Sequence, residues 1–256
     1  NFKNLNDAVS KTKPDIIFHL AAQSSVLVSY KDPDDTLKTN IIGTFNLLKS
    51  IKNNKSVKSV IIVTTDKVYL NDDKKINFNE NSKLGGHDIY SSSKACCEII
   101  TQSFANSFIK KDKCRIATVR SGNCIGGGDW TENRLIPDCV KSWKKNKIVK
   151  IRNLKSTRPW QHVLDIIYGY LLLGAKAKLD KKLHGESFNF GPDLKNNFKV
   201  LDVLKKSKQF WKNILWKEDK NNIFKENVLL NLNNSKAKRV LKWKPVINFN
   251  DTIKLT

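Results

Sequence analysis

Short apolar runs alternate with longer stretches of helical periodicity in the first half of the chain. Continuous apolar runs, which are typical of strands buried on both faces, cover residues 15–21, 57–63 and 115–120. Apolar residues recur at helical spacing between Thr36 and Asn53, and a second long helix is predicted from Tyr90 to about Lys110. Strands that alternate with long helices predict a parallel sheet with helices on both sides, an α/β fold.

The pattern changes after the glycine run at 126–128. Shorter elements follow, and helices are predicted near residues 135–145, 163–177, 200–211 and 235–241. Short strands are predicted near residues 148–151, 187–191 and 214–216. This half of the chain is therefore predicted to form a smaller mixed lobe that closes over one edge of the sheet.

The formal net charge of +23 raises the question of a nucleic-acid partner. The basic residues are 41 lysines and 6 arginines, scattered along the chain together with 28 asparagines. Nucleic-acid readers use arginine for bidentate contacts and would need a clustered basic face with stacking aromatic side chains. We therefore expect solvated lysine-rich surfaces and no nucleic acid; a basic nucleic-acid-binding protein is the alternative from a different functional class.

The cysteines and the apolar content bear on the cellular setting. Five cysteines lie in apolar-patterned segments without a CxxC pair, so neither a metal site nor a redox motif is expected. Reduced thiols favour a cytoplasmic protein. An apolar run of about 18 residues, which a membrane helix requires, does not occur in the sequence. The chain lacks methionine and ends on the start of a helical pattern, so we expect an internal part of a longer protein.

Polar side chains follow three of the predicted parallel strands. These clusters are Ala21-Ala22-Gln23, Thr64-Thr65-Asp66 and Ser121-Gly122-Asn123. Ligands of open α/β sheets bind beyond the carboxyl ends of the strands, where the three clusters would meet. The sequence therefore predicts an active site at this edge of the sheet.

Tyr90 and Lys94 add candidate chemistry next to these clusters. Residues four apart share one face of a helix, so the phenol and the ammonium can act on the same small molecule. The ordinary pKa of a tyrosine is about 10, and a nearby cation favours the phenolate and lowers that value. We expect Tyr90 to transfer a proton to and from a substrate hydroxyl.

Together with Thr65, this pair resembles the Thr/Ser–Tyr–Lys triad of the extended short-chain dehydrogenase/reductase family. Residues 18–23 and 39–44 resemble further segments of that family, and the resemblance covers essentially the whole chain. It implies a Rossmann-type, doubly wound parallel sheet that binds NAD within residues 1–125, and a substrate-binding lobe within 126–256 from which strands and helices return to the sheet. The cofactor-binding residues that it implies are Ala21, Ala22, Gln23, Asn40, Thr64, Tyr90 and Lys94.

Asp66 and Lys67 narrow the resemblance to the nucleotide-sugar 4,6-dehydratase group. In that group an aspartate after the triad hydroxyl protonates the leaving C6 hydroxyl, which implies a raised pKa for Asp66. Most members place a glutamate next as the C5 base; Lys67 at that position resembles the branch that acts on CDP-glucose. Segments 120–138 and 158–163 are similar to the same branch. The resemblance implies substrate binding by Asn123, Arg134, Leu135, Arg152 and Arg158, although a surface ion pair is an alternative role for the last two.

The resemblance implies a hydro-lyase that uses NAD⁺ without net redox change, as part of deoxysugar biosynthesis for O-antigen-type lipopolysaccharide. Tyr90, Lys94 and Thr65 would act in C4 oxidation, and Asp66 and Lys67 in the loss of water. A homodimer formed through the helices at Thr36 and Tyr90 would fit the family.

Two further functions are compatible with the sequence. A nucleotide-sugar epimerase or a dehydratase for UDP- or dTDP-sugars would keep the triad, but an epimerase would not need Asp66 and Lys67. The second alternative is a catalytically inactive fragment. The glycine-rich turn that binds the cofactor pyrophosphate in this fold is not found before Asp15.

Overall fold

A parallel sheet lies at the centre of the computed structural model, which describes residues 1–72, 77–193, 198–219 and 231–256. The helices are α1 (Phe2–Thr12), α2 (Val26–Lys31), α3 (Pro33–Leu37), α4 (Gly43–Lys52), α5 (Ile89–Phe108), α6 (Leu135–Trp143), α7 (Val163–Leu179), α8 (Val200–Ser207) and α9 (Phe249–Leu255). The strands are β1 (Ile16–His19), β2 (Ser59–Val63), β3 (Asn77–Phe78), β4 (Arg115–Ser121), β5 (Cys124–Ile125), β6 (Val149–Ile151), β7 (Thr157–Arg158), β8 (Gln161–His162), β9 (Ser187–Phe190), β10 (Phe198–Lys199), β11 (Trp216–Glu218) and β12 (Asn231–Leu232).

The central sheet has the strand order β1-β2-β4-β9, and all of its neighbouring strands are parallel. Successive side chains of a strand point to opposite faces, and β2 shows this directly. Val60 and Ile62 pack with α1, α4 and α5 on one face, whereas Ile61 packs with α7 and Trp243 on the other. Both faces are therefore covered by helices, which confirms the predicted doubly wound α/β fold.

A separate apolar core holds the lobe together. It combines side chains of α6, β6, α8 and α9 with Trp160, which is 5% exposed. Strand β6 pairs in parallel with β11, and β7 pairs with β10 in the antiparallel sense. Helix α7 and strand β9, which lie between segments of the lobe in the sequence, belong to the layers of the central sheet. The division of the chain at residue 125 stays a prediction, and parts of its second half (194–197 and 220–230) lie outside the described residues.

Most of the predicted elements occur where the periodicity places them, and the main differences are the following. The helix predicted over 36–53 is interrupted by a π-helical turn at Lys38–Ile42, and the segment near 235–241 is also a π-helical turn. The strand predicted at 214–216 begins at Trp216, where its pairing with β6 starts. Helix α2 was not predicted, since six residues are too few to show a helical period. Within the described ranges, none of the helices combines the length and apolar content needed to cross a membrane.

Candidate active site

A cavity of about 440 Å³ lies beyond the carboxyl ends of the central strands, between the sheet and the lobe. This volume is within the range of small-molecule sites. The sheet half of the cavity is formed by Ser24, Thr64–Lys67, Tyr90 and Ser121–Asn123. The lobe half is formed by Arg134, Leu135, Val149–Asn153, Ser156, Arg158, Trp160 and Val200.

The cavity brings together most of the residues that the sequence singles out. Those lining it are Thr64, Thr65, Asp66, Lys67, Tyr90, Asn123, Arg134, Leu135, Arg152 and Arg158. The remaining candidates, Ala21, Ala22, Gln23, Asn40 and Lys94, lie outside its lining. All five belong to the predicted cofactor set, so that set is split between the cavity and the protein behind it.

Asp66 lies in a single 3₁₀ turn, Asp66–Val68, that begins directly after β2. Thr65 caps this turn, since Lys67 N donates to Thr65 Oγ1 at 3.4 Å, and Thr65 Oγ1 donates to Asp66 Oδ1 at 3.1 Å. Asp66 is 4% exposed, and this burial raises the pKa of its carboxyl although the charges of Lys67 and Arg158 oppose the rise. A raised pKa is the direction that a carboxyl acting as an acid near neutral pH requires.

Gly122 explains how the lobe approaches Asp66 so closely. A Cβ at Gly122 would lie 2.3 Å from Pro159 Cγ and 3.1 Å from Asp66 Oδ2. Real Cβ atoms do not approach carbon this closely, so a larger residue would push the segment around Pro159 away from the carboxyl. The glycine keeps the two halves of the cavity in contact.

Tyr90 lies in the first turn of α5, which Asp88 caps by accepting a hydrogen bond from Ser91 N at 2.9 Å. Its side chain is 7% exposed, and burial raises its pKa to about 12. A hydrogen bond with Thr65 and the charge of Arg134 act in the opposite direction. The expectation that a cation moves the pKa of Tyr90 below its ordinary value is therefore wrong for this state, because desolvation outweighs both effects.

Lys94 lies four residues after Tyr90 on α5, as the sequence predicts. Its ammonium donates to the carbonyl oxygen of Val63 at 2.9 Å, at the end of β2, and burial lowers its pKa. The charge of Arg134 lowers the pKa of Tyr90 in the structure. Arg134 belongs to the lobe and is distant from Tyr90 in the sequence, so residue spacing could not predict its effect on Tyr90.

Two further cofactor candidates use their side chains to build the loop after β1. Asn40, 1% exposed, accepts a hydrogen bond from Gln23 N at 2.9 Å and donates to Ser93 Oγ at 2.8 Å. Gln23 Nε2 donates to Thr36 Oγ1 at 2.7 Å. These bonds fix the loop against α5, whereas Ala21 at the end of β1 is exposed.

The arginines of the lobe differ in their surroundings. Arg158 is 6% exposed and so does not lie at the surface, and its Nη1 donates to the carbonyl oxygen of Thr157 at 2.9 Å. Arg152 is half-buried and donates to the carbonyl oxygen of Asn133 at 3.4 Å. Arg134 crosses to the other half of the cavity and donates to Ser24 Oγ at 3.1 Å. The cavity therefore carries three guanidinium groups on its lobe side.

A buried carboxylate that the sequence-based prediction does not include lies behind the site. Glu98, 3% exposed, accepts hydrogen bonds from Arg120 Nε at 2.9 Å and Arg120 Nη2 at 3.0 Å. It also accepts from Thr64 Oγ1 at 2.6 Å, from Ser187 Oγ at 3.3 Å and from Thr118 Oγ1. These bonds hold the pKa of Glu98 below its ordinary value despite complete burial. The spacing of four residues from Lys94 on α5 is the signal that could have indicated it.

The hydroxyl of Thr64 consequently faces the protein interior. If Thr64 contacts the cofactor, as predicted, it does so through its backbone.

Ser156 is a second residue of the site that the sequence did not indicate, because nothing in the sequence distinguishes it from other loop serines.

Comparison with known proteins places these residues in a family. The family model described as GDP-mannose 4,6 dehydratase matches residues 1–256. A CDP-glucose 4,6-dehydratase of Salmonella typhimurium is 38% identical over 259 residues, which cover 99% of this chain and 72% of that protein. A UDP-glucose 4-epimerase of Mycoplasma genitalium is 27% identical and covers 97% of this chain and 76% of that protein.

Solved structures share the fold at lower sequence identity. The epimerase Mth375 of Methanothermobacter thermautotrophicus has a TM-score of 0.88 at 22% identity, covering 99% of this chain and 74% of that one. The dTDP-glucose 4,6-dehydratase of Bacillus anthracis, solved in complex with NAD, has a TM-score of 0.79 at 22% identity, covering 99% and 75%. The full-length family match and the 38% identical relative show that the chain belongs to the GDP-mannose 4,6 dehydratase family, within the extended short-chain dehydrogenases/reductases.

Proposed function

We propose that the protein is an NAD-dependent nucleotide-sugar 4,6-dehydratase that acts on CDP-glucose. The observation that carries the proposal is the pair formed by Asp66 and Lys67 in one turn facing the cavity, with the pKa of Asp66 raised by burial. Tyr90 and Thr65 face the same cavity. An acid, a candidate base and a phenol around one cavity are the groups that oxidation at C4 and loss of water from C5 and C6 require.

The residues at the ends of β1 and β2 fit a nicotinamide cofactor. Leu20 is 58% exposed beside exposed Ala21, so a flat apolar ring system would find a matching surface there. Lys94 uses one of its three ammonium protons on Val63 and has donors for ribose hydroxyls. We assign cofactor contacts to Lys94 and to the backbone of Ala21, Ala22 and Gln23. NAD⁺ bound there would supply the means to accept a hydride from C4 and return it to C6, so the reaction would have no net redox change.

Tyr90 acts first in the proposed sequence. Its phenolate accepts the proton of the C4 hydroxyl, while Thr65 orients that hydroxyl by hydrogen bonding. The pKa of Tyr90, about 12 in the structure, must fall for this step, and a positively charged neighbour provides the means. Arg134 and the cofactor-proximal ammonium of Lys94 are the cations of this chain that we assign to that role.

Asp66 and Lys67 carry out the elimination. A ketone at C4 acidifies the proton on C5, and the side-chain amine of Lys67 removes it. Asp66 donates its proton to the C6 hydroxyl, which leaves as water. The carboxyl can hold that proton because burial raises its pKa. This assignment makes the enzyme a hydro-lyase.

The lobe half of the cavity receives the nucleotide end of the substrate. We assign the diphosphate to Arg152 and Arg158, because guanidinium groups pair with phosphate oxygens in a bidentate manner. Asn123, Arg134 and Leu135 complete the substrate contacts. Cytidine is favoured because the 38% identical relative is a CDP-glucose 4,6-dehydratase. We place the reaction in the cytoplasm, in deoxysugar biosynthesis for lipopolysaccharide.

The proposal is tested by incubating the protein, expressed from its complete gene, with CDP-glucose, dTDP-glucose and UDP-glucose in the presence of NAD⁺. We expect the 4-keto-6-deoxy sugar from CDP-glucose, measured by mass spectrometry as the loss of one water. Product from another nucleotide alone would overturn the CDP assignment. Absence of product from all three substrates would overturn the dehydratase assignment.

A further inference from the structure

Ser156 combines two properties that are rarely found together. Its side chain is 2% exposed, yet its hydroxyl has no hydrogen-bond partner among the described residues. The same residue lines the lobe half of the cavity. A buried polar group without a partner costs free energy, so an uncompensated hydroxyl at a cavity wall indicates a contact that a ligand completes.

The backbone around Ser156 directs its side chain to the same wall as Arg158. Val200 N donates to the carbonyl oxygen of Ser156 at 3.0 Å, which continues the pairing between β7 and β10 by one residue. Residues two apart in an extended segment point to the same side, and both Ser156 and Arg158 line the cavity. The structure thus presents a hydroxyl donor and a guanidinium side by side.

We propose that Ser156 is a substrate-binding residue whose hydroxyl donates to a phosphate oxygen of the nucleoside diphosphate held at Arg158. A diphosphate offers more acceptors than the guanidinium of Arg158 can satisfy, and a neutral hydroxyl adds a donor without another charge. This inference rests on the proposed function, because it requires a nucleotide in the lobe half of the cavity.

The experiment compares Ser156→Ala with Ser59→Ala. Ser59 is a matched control: it is 0% exposed, its hydroxyl also has no partner among the described residues, and it lies outside the cavity lining. The protein and both variants are titrated with CDP by calorimetry, and their thermal unfolding is measured without ligand. We expect Ser156→Ala to weaken CDP binding about tenfold and Ser59→Ala to leave it unchanged, while neither variant unfolds at a lower temperature.

The possible results separate this inference from the proposed function. Equal CDP affinity of the protein and Ser156→Ala would overturn the role of Ser156 alone. A lower unfolding temperature for Ser156→Ala than for Ser59→Ala would also overturn it, since the hydroxyl would then have a structural partner. Failure of the unsubstituted protein to bind CDP, UDP and dTDP would overturn the proposed function as well.

Discussion

Asp66 stabilises or destabilises the folded protein depending on pH, because its pKa is raised above the ordinary value of 3.8. A group whose pKa is higher in the folded than in the unfolded state contributes stability at low pH. That contribution is lost as the pH rises through the folded-state pKa. The carboxyl that the reaction needs as an acid therefore lowers the free energy of unfolding at neutral pH.

Asp66→Asn is accordingly expected to unfold at a higher temperature than the parent at pH 7, with a difference that shrinks as the pH approaches 4. The amide cannot ionise, so the variant escapes the desolvation that opposes the carboxylate. Thermal unfolding measured between pH 4 and pH 8 tests this, with the exposed Asp7→Asn as control. A pH-independent difference would contradict the raised pKa. The same variant should form no dehydrated product.

Lys67→Met separates oxidation from elimination. Methionine has a similar length but no amine, so we expect the 4-keto-6-deoxy product to form about 10²- to 10⁴-fold more slowly, as for the loss of a general base. C4 oxidation should still be visible in single turnover as absorbance of reduced nicotinamide. The exposed Lys83→Met is the control for loss of a charge. Full dehydratase activity in Lys67→Met would remove the base role.

Helix α5 and three parallel strands are joined through one carboxylate. Glu98 receives hydroxyl donors from Thr64 after β2, Thr118 on β4 and Ser187 on β9, and it is paired with Arg120. Because Tyr90 and Lys94 lie on the same helix, this contact fixes the helix relative to the turn that carries Asp66. The relative position of acid and phenol thus depends on a residue outside the cavity lining.

Thr64→Val and Ser187→Ala test this coupling by each removing one hydroxyl from the same carboxylate. Arg120 keeps its partner in both variants, so we expect folded proteins that lose similar free energy of unfolding, about 1.5–3 kcal/mol each. Thr64 adjoins Thr65, whereas Ser187 lies on β9. We therefore expect kcat to fall about tenfold in Thr64→Val with KM nearly unchanged, and to stay unchanged in Ser187→Ala. Equal kcat values in steady-state assays would show that Glu98 serves stability alone.

The molecule as a whole exposes an apolar surface on α5 and around α4. Ile42 is 51% exposed, Phe45 41%, Ile99 56% and Phe108 53%. Exposed apolar side chains on neighbouring helices favour an interaction site, and a twofold pair of such helices would cover both copies. This surface is where the predicted homodimer would form.

Ile99→Glu should convert that dimer into a monomer, because a carboxylate would be buried at the interface. Light scattering coupled to gel filtration measures the mass in solution. Leu171→Glu, an equally exposed position at 53% on α7, is the control and should remain dimeric. A monomeric parent protein would contradict the homodimer prediction.

Elements that a local pattern specifies could be predicted, and contacts between distant parts of the chain could not. Strand β2 follows from a continuous apolar run, and Asp66 and Tyr90 follow from their positions beside predicted elements. The bond between Arg134 and Ser24 joins residues 110 positions apart, and only the closed tertiary structure sets it. The predicted lowering of the Tyr90 pKa was wrong for the same reason. Burial outweighs the effect of the nearby cation, and the degree of burial cannot be read from residue spacing.

Arginine is scarce in this chain, with 6 residues against 41 lysines, and the structure gives five of the six a specific place. Arg115, Arg120 and Arg158 are buried, and Arg134 and Arg152 line the cavity. A planar fork that stays charged when buried is what a lysine cannot supply. Exchange between lysine and arginine would thus be tolerated over most of the surface but not at these five positions. An exchange that substitution tables score as conservative would be among the most damaging ones here.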